Sequence, residues 1–188
     1  MTLNEVTSLG CNWPTCIAGE SKKSLASISI ITLERQLNLT LGTKSGHYFA
    51  EQRIGWQLQL MQEKGVNLTN INEFVEMVKT RLANHSPRPS LLHGDLWFGN
   101  VANTVNGPLC FDPACYWGDR ECDIALAEWF GGFQPEFFQG YESVWPLDWG
   151  YEERKDIYNL YHVLNHYNQF GGHYLDEAQK LIEKILSY

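Results

Sequence analysis

The sequence has few of the features that direct a protein to a membrane, to nucleic acid or out of the cell. No window approaches 18 uninterrupted apolar residues, and the first ten residues have neither the basic nor the apolar segment of a signal peptide. Lys and Arg form no basic block, and the formal net charge is −8, which argues against a phosphate backbone or an anionic membrane surface as partner. We therefore expect a cytoplasmic protein that binds neither nucleic acid nor membrane.

The sequence also lacks paired cysteines. Its five cysteines are an odd set, and their spacings match neither a disulfide framework nor a zinc site. They are Cys11, Cys16, Cys110, Cys115 and Cys122. We expect reduced thiols, which agrees with a cytoplasmic location.

The chain does contain enough apolar material for a folded core. It has 188 residues, of which 44% are hydrophobic and 13% aromatic, as in a globular domain. Residues 1–45 differ, because they are rich in Ser, Thr, Asn and Gly and have one short β-prone run, Ile28 to Leu33. We predict a poorly ordered or irregular leader over residues 1–45 and a mainly helical α+β unit over residues 46–188.

Apolar residues at helical spacing predict four long helices in this second part. They run from about Tyr48 to Gly65, from Asn70 to Ala83, from Glu152 to Gln169 and from Leu175 to Leu186. Asn70 and Glu73 form a capping box at the start of the second helix. A shorter helix is predicted from Asp123, as its N-cap, to Phe130, where a glycine pair ends it.

A β-hairpin is predicted in the centre of the chain. Two short apolar runs, Val101 to Val105 and Leu109 to Phe111, flank Asn106-Gly107, the strongest local signal for a tight turn. Asn100 and Asp112 are equidistant from Asn106, so antiparallel pairing places them opposite each other within about one residue.

This arrangement predicts a metal site beside a carboxylate. The Asn100 carbonyl and the Asp112 carboxylate are hard oxygen ligands that suit Mg²⁺, and Asp95, five residues upstream, is close enough to accept a proton from a hydroxyl nucleophile. Each residue has a structural alternative, since Asn and Asp also favour or cap turns.

The order Asp, then Asn five residues later, then Asp at a strand end is that of the protein-kinase-like phosphotransfer template. Longer segments resemble the fructosamine (ketosamine) kinases. They are His93-Gly-Asp95-Leu-Trp97-x-Gly99-Asn100, Phe111-Asp112-Pro-Ala-Cys-Tyr-Trp-Gly-Asp119-Arg-Glu-Cys-Asp123, Tyr151-Glu-Glu-Arg-Lys155, Val144-Trp145-Pro146-Leu147, Tyr161-His162-x-Leu164-Asn165 and Phe170-Gly-Gly172. The resemblance covers about Tyr48 to Tyr188.

The resemblance implies the C-terminal lobe of a protein-kinase-like fold, with the small hairpin at its catalytic loop. It implies an activity that transfers the ATP γ-phosphate, with Mg²⁺, to a sugar hydroxyl of ketoamine adducts on amines or proteins, as in protein deglycation. By the same resemblance Asp95 is the catalytic base, and Asn100 and Asp112 are the metal ligands.

Four further residues are interpreted as supporting groups. His93 braces the catalytic loop through a hydrogen bond, because the template gives the acid-base role to the aspartate. Asp119, Arg120 and Asp123 form an ion-pair and capping group beneath that loop.

Several aromatic residues are candidates for stacking on a sugar ring. They are Trp117 and Trp145, followed by Tyr141 and Trp149. In a chain this rich in aromatics, the structural alternative is that they belong to the core.

The template also requires a Gly-rich phosphate loop and a strand lysine, and these 188 residues contain no such pattern. We therefore expect a truncated kinase with an uncovered, apolar cleft face that favours self-association. The alternatives are a non-catalytic remnant that binds a ligand or partner, and another small-molecule kinase of the aminoglycoside or choline type.

Overall fold

The computed structural model describes residues 45–188, and the predictions made for residues 1–44 lie outside that range. Within it, helices surround one apolar core. Two small antiparallel sheets lie in the segment of chain between the helix that ends at Leu82 and the helix that begins at Glu121. The prediction of a mainly helical α+β fold is confirmed.

The first helix, α1, contains an internal change of helical type. It begins with an α-helical turn at Ser45–Tyr48, continues as a π-helix at Phe49–Gly55 and returns to α-helix at Trp56–Glu63. Its core-facing side chains are Ala50, Ile54, Leu58 and Met61. The chain then leaves the helix through Gly65, whose φ of +84° suits glycine.

The second helix, α2, spans Ile71–Leu82 and starts at the predicted cap. The Asn70 Oδ1 atom accepts from the Glu73 backbone N–H at 3.3 Å, and the Asn70 Nδ2 group donates to the Glu73 carboxylate at 2.8 Å. The first of these bonds satisfies a donor that the first helical turn leaves unpaired.

The strands form two separate antiparallel pairs. Strand β1 (Ser90–Leu92) pairs with β4 (Tyr116–Gly118), and β2 (Val101–Thr104) pairs with β3 (Gly107–Cys110). The second pair is the predicted hairpin. The β1–β4 pair was not predicted, because its two strands are short and distant in sequence.

The hairpin turn lies one residue earlier than predicted. Thr104 pairs with Gly107, so the loop residues are Val105 and Asn106 rather than Asn106-Gly107. A β-branched valine disfavours the positive φ that the first position of a type I′ turn requires. The positive φ of +110° therefore falls on Gly107.

Four helices complete the described chain. They are α3 (Glu121–Phe130), α4 (Pro135–Val144), α5 (Tyr151–Phe170) and α6 (Tyr174–Leu186). Helix α5 is central, because it packs against α1, α3 and α6. Helix α4 was not predicted, although Pro135 at its first position is a recognised start signal.

The predicted capping role of Asp123 is wrong. Helix α3 starts three residues earlier, with Arg120 at its N-cap position, and the Asp119 Oδ1 atom accepts from the Glu121 N–H at 3.0 Å. The Asp123 side chain instead contacts the loop that follows β1.

Within residues 45–188, we find no helix with the length and hydropathy of a membrane span.

His162 is buried on helix α5, and its burial should make the free energy of unfolding depend on pH. Desolvation lowers the pKa of His162 to about 3, below its ordinary value of 6.5. Between these values the unfolded chain binds a proton that the folded chain does not, so stability falls as pH falls through this window. We expect the free energy of unfolding to fall about 1.4 kcal/mol more per pH unit in the wild type than in His162→Gln.

Chemical denaturation at pH 6.5, 5.5 and 4.5 measures this difference. The matched control is His173→Gln, because it makes the same change at an exposed histidine. Equal slopes for the wild type and His162→Gln would show that His162 is protonated in the folded chain.

Candidate active site

The candidate site is built on the loop between β1 and the hairpin. Asp95 lies in this loop, which ends in a single 3-10 turn at Phe98–Asn100. The Asn100 Nδ2 group donates to both the Asp95 backbone carbonyl and the Asp95 Oδ2 atom, each at 2.9 Å. Asn100 is buried and Asp95 is half-buried, so the predicted base and the predicted metal ligand are held together.

Asp112 follows β3 directly, on the other side of the hairpin. The Phe111 N–H donates to the Asn100 carbonyl at 3.0 Å, which places Asp112 one residue beyond the position opposite Asn100. The predicted proximity of these two residues along the hairpin is therefore confirmed to within one residue. Asp112 is exposed and has a φ of +54°, the single positive φ among the described non-glycine residues.

The left-handed backbone of Asp112 ends the strand abruptly. Such a conformation costs about 1–2 kcal/mol in an L-residue, although Asp tolerates it better than most. Uncommon backbone conformations of this kind concentrate at functional sites.

His93 connects the two halves of the site. Its Nε2 atom bonds the Phe111 carbonyl at 3.1 Å, and its Nδ1 atom accepts from the Asp95 N–H at 3.3 Å. Because a carbonyl only accepts, the Nε2 atom carries the hydrogen and the ring is neutral. Burial lowers the pKa of His93, which favours this neutral form. The predicted bracing role of His93 has these two bonds as its physical basis.

Asp123 supports the same loop from helix α3. Its two carboxylate oxygens accept from the backbone N–H groups of His93 at 2.7 Å and Gly94 at 2.9 Å. Burial raises the pKa of Asp123 to about 6, although both N–H bonds oppose the shift. The hydrogen bonds from His93 and Gly94 to Asp123 join residues that are far apart in sequence. The sequence position of Asp123 therefore could not indicate them.

Gly94 occupies a position that excludes any side chain. Its φ is +80°, and a Cβ atom there would lie 2.1 Å from the Ala114 carbonyl oxygen. The Ala114 N–H also donates to the His93 carbonyl at 2.8 Å, so a shift of either backbone segment would strain or break that bond.

Gly94→Ala should therefore destabilise the chain by more than the cost of a positive φ alone, which is about 1–2 kcal/mol. The matched control is Gly65→Ala, because Gly65 has a similar φ of +84° and an added Cβ atom there would meet nothing within 4 Å. We expect Gly94→Ala to lower the free energy of unfolding at least about twice as much as Gly65→Ala. Equal losses in chemical denaturation would mean that the loop accommodates the methyl group.

The residues fit a divalent cation. Both hydrogen bonds of the Asn100 amide nitrogen go to Asp95. The Oδ1 atom of the same amide is therefore the atom that could bind a cation. Together with the Asp112 carboxylate, it gives the pair of oxygens that Mg²⁺ takes from a protein before phosphates and water complete its shell.

Asp119 and Arg120 support the fold at separate places. The Asp119 Oδ2 atom bonds the His85 Nε2 atom at 2.7 Å and the Tyr158 hydroxyl at 2.6 Å. Arg120 donates to the backbone carbonyls of residues 145 and 146, and its guanidinium lies 4.2 Å from the Trp145 ring. Within residues 45–188, Arg120 forms an ion pair with neither Asp119 nor Asp123, so the predicted ion-pair group of these three residues does not form. No local sequence signal indicated His85 as a partner of Asp119.

The predicted stacking residues are not brought to Asp95 by any contact within the described chain. One face of Trp145 packs on Arg120, and Trp117 lines a small cavity with Arg53 and His85. The exposed aromatic side chain nearest to Asp95 in sequence is Trp97, whose ring lies 5.7 Å from that of Phe130. Trp97 belongs to the segment from His93 to Asn100 that resembles the family, but its sequence position alone indicates no role for it.

Comparison with solved structures places this fold among kinase-like proteins. A crystal structure of a protein assigned as a fructosamine-3-kinase, from Haemophilus somnus, superposes with a TM-score of 0.72 at 44% identity, over 77% of this chain and 50% of that one. The resemblance to a kinase C-terminal lobe is therefore confirmed at the level of the fold.

The sequence comparisons define the family. The fructosamine kinase family model matches residues 29–188, and the chain belongs to that family. A protein of Vibrio cholerae named as a probable ketoamine kinase is 99% identical over 141 residues, which are 75% of this chain and 49% of that protein. A protein of Vibrio parahaemolyticus with the same description is 74% identical over the same shares. The chain thus spans about half the length of the curated relatives it matches.

Proposed function

We propose that this chain supplies the base and the metal ligands of a ketosamine kinase, which transfers the ATP γ-phosphate to a sugar hydroxyl of ketoamine adducts. The observation that carries the proposal is the hydrogen-bonded unit in which Asn100 holds Asp95 beside the strand that ends at Asp112. Membership of the fructosamine kinase family supports the same substrate class.

In this proposal Asp95 accepts the proton of the attacking hydroxyl. Asn100 fixes the Oδ2 atom of Asp95, which leaves the Oδ1 atom to receive the hydroxyl hydrogen. A bound Mg²⁺ would neutralise charge on the nucleotide phosphates, and Asn100 and Asp112 are the residues that would hold it.

The surrounding residues position this base. Asp123 fixes the backbone before Asp95, and His93 links the Asp95 N–H to the strand that leads to Asp112. Phosphoryl transfer depends mainly on such positioning and on electrostatic stabilisation.

A second element must cradle the nucleotide phosphates. The 188 residues contain no Gly-rich loop followed by a strand lysine, so we expect negligible turnover by this chain alone. The competing function is a non-catalytic lobe that binds a ligand or a partner, and it predicts no turnover even when the other half of a relative is supplied.

The experiment combines this chain with the part of the Vibrio cholerae relative that it does not match. The mixture receives ATP, Mg²⁺ and one of four acceptors: fructoselysine, lysine, an aminoglycoside or choline. We expect phosphate transfer to fructoselysine only. Transfer to the aminoglycoside or choline instead would assign a different small-molecule kinase, and transfer to none would favour the non-catalytic alternative.

A further inference from the structure

The turn of the β2–β3 hairpin contains a reactive dipeptide that the proposed function does not use. Asn106 is followed directly by Gly107, and this is the one Asn-Gly pair in the 188 residues. In such a pair the backbone nitrogen of the glycine can attack the side-chain carbonyl carbon of the asparagine, because glycine has no side chain to hinder the approach. The turn is therefore a candidate for spontaneous deamidation.

The structure leaves this pair open to the reaction. Asn106 is exposed, and the preceding Val105 is fully exposed. A Cβ atom added at Gly107 would meet nothing within 4 Å, so no other part of the described chain crowds this residue. The Asn106 backbone N–H donates to the Thr104 Oγ1 atom at 3.2 Å, but within residues 45–188 no hydrogen bond holds the Asn106 side-chain amide away from Gly107.

We infer that Asn106 is a self-modification site, at which deamidation forms a β-aspartyl linkage that weakens the hairpin beside the candidate active site. The Gly107 nitrogen gives its proton to water and bonds to the Asn106 Cγ atom, and the bond from Cγ to the amide nitrogen breaks to release ammonia. Water then adds to either carbonyl of the resulting cyclic imide and opens it to an aspartyl or a β-aspartyl residue. This inference goes beyond the proposed function and does not depend on it.

The β-aspartyl product changes the backbone of the turn. In this product the main chain passes through the side-chain carbon of residue 106, so the turn contains one more backbone atom. Turn geometry fixes the register of a hairpin. Among the described strands, β2 and β3 pair only with each other, and an isolated two-stranded hairpin is marginally stable. The additional atom should therefore weaken the pairing along the whole hairpin.

The far end of this hairpin carries the two proposed metal ligands. The Phe111 N–H donates to the Asn100 carbonyl at 3.0 Å, and this bond holds the residue before Asp112 beside Asn100. Loss of the bond would let Asn100 and Asp112 separate. A modification at the exposed turn thus acts on the candidate site from a distance.

The first experiment measures the reaction itself. The 188-residue chain is incubated at about pH 8, and peptide mass spectrometry with electron-transfer fragmentation quantifies asparagine, aspartyl and β-aspartyl forms. Asn103 is the internal control, because it is exposed on the same hairpin and precedes the β-branched Thr104. We expect Asn106 to convert at least about tenfold faster than Asn103, since a branched side chain hinders the attacking nitrogen. An unchanged Asn106, or equal rates at the two residues, would overturn the inference.

The second experiment measures the effect on the hairpin. The β-aspartyl form is separated by chromatography, and NMR follows hydrogen exchange of the Phe111 amide, which needs neither nucleotide nor metal. We expect exchange at least about tenfold faster than in the unmodified chain. The matched control is Asn106→Asp, which adds the same charge with an ordinary backbone and should retain the protection.

Two results of the exchange measurement would overturn the link between the turn and the site. One is equal exchange of the Phe111 amide in the β-aspartyl and unmodified forms. The other is the same acceleration in Asn106→Asp, which would assign the effect to charge rather than to the backbone. Failure of phosphate transfer by the complemented protein would leave both experiments unaffected, so this inference and the proposed function are tested separately.

Discussion

Asp95→Asn should lower the rate of phosphate transfer to fructoselysine by about 10²–10⁴-fold in the complemented protein, the range expected for loss of a general base. Asparagine keeps the shape of aspartate and still accepts the bond from the Asn100 amide. The loss would therefore report the missing proton acceptor rather than a displaced loop. Initial rates of phosphate transfer at saturating ATP measure the effect.

The matched control for this substitution is Asp176→Asn, which makes the same chemical change at an exposed position on α6. It should leave the rate unchanged. A loss of less than tenfold in Asp95→Asn would remove Asp95 from the role of base, and an equal loss in the control would mean that the assay reports stability.

Arg154→Met should lower the free energy of unfolding by about 3–5 kcal/mol, because it leaves a buried carboxylate without its partner. The Arg154 guanidinium bonds both oxygens of Glu121, at 2.7 Å and 2.8 Å, and Glu121 has no solvent exposure. This pair joins α5 to the first turn of α3, the helix that carries Asp123. Chemical denaturation at pH 7 measures the loss.

Two comparisons show whether burial causes that loss. Lys155→Met removes a more exposed pair with Glu128, whose atoms lie 3.1 Å apart, and should cost at most about 1 kcal/mol. Adding Glu121→Leu to Arg154→Met should restore part of the stability, since no charge is then buried alone. If Arg154→Met lowers the free energy of unfolding no more than Lys155→Met does, water reaches the Glu121 carboxylate.

Much of the helical framework could be predicted because its signals are local. Helix α6 buries Ala178, Leu181, Ile182 and Ile185, which is the stripe that its periodicity indicates. The cap of α2 also depends on residues only three apart. Such interactions are visible in a sequence because both partners belong to one element.

The remaining features depend on residues that are distant in sequence. The β1–β4 pair joins strands more than 20 residues apart, and three-residue strands carry too little alternation to indicate pairing. Asp123 has the residue type and position of a helix cap, but its partners are 29 and 30 residues away. The side chain prefers them because the loop before Asp95 leaves two backbone N–H groups that require acceptors.

The candidate site combines both kinds of feature, one that local sequence spacing predicts and others that depend on the folded loop. The hairpin spacing brings Asn100 and Asp112 together, because an antiparallel turn fixes which residues face each other. The bonds from His93 and from the Asn100 amide could not be predicted, since they depend on how the loop after β1 is bent by Gly94.

Phosphate transfer as proposed requires Asn100 and Asp112 to share one cation beside Asp95. Titration of the 188-residue chain with Mn²⁺, followed by NMR line broadening, tests this directly, because a paramagnetic ion broadens signals near its own site. We expect weak binding in which the Asn100 side-chain amide and the backbone amides of Asp95 and Asp112 broaden together, and Asp112→Ala should abolish all three effects. His85, Glu121 and Asp148 have ligand atoms within 4.8 Å of one another. Broadening centred on these three residues, with the Asn100 signal unchanged, would contradict the metal assignment.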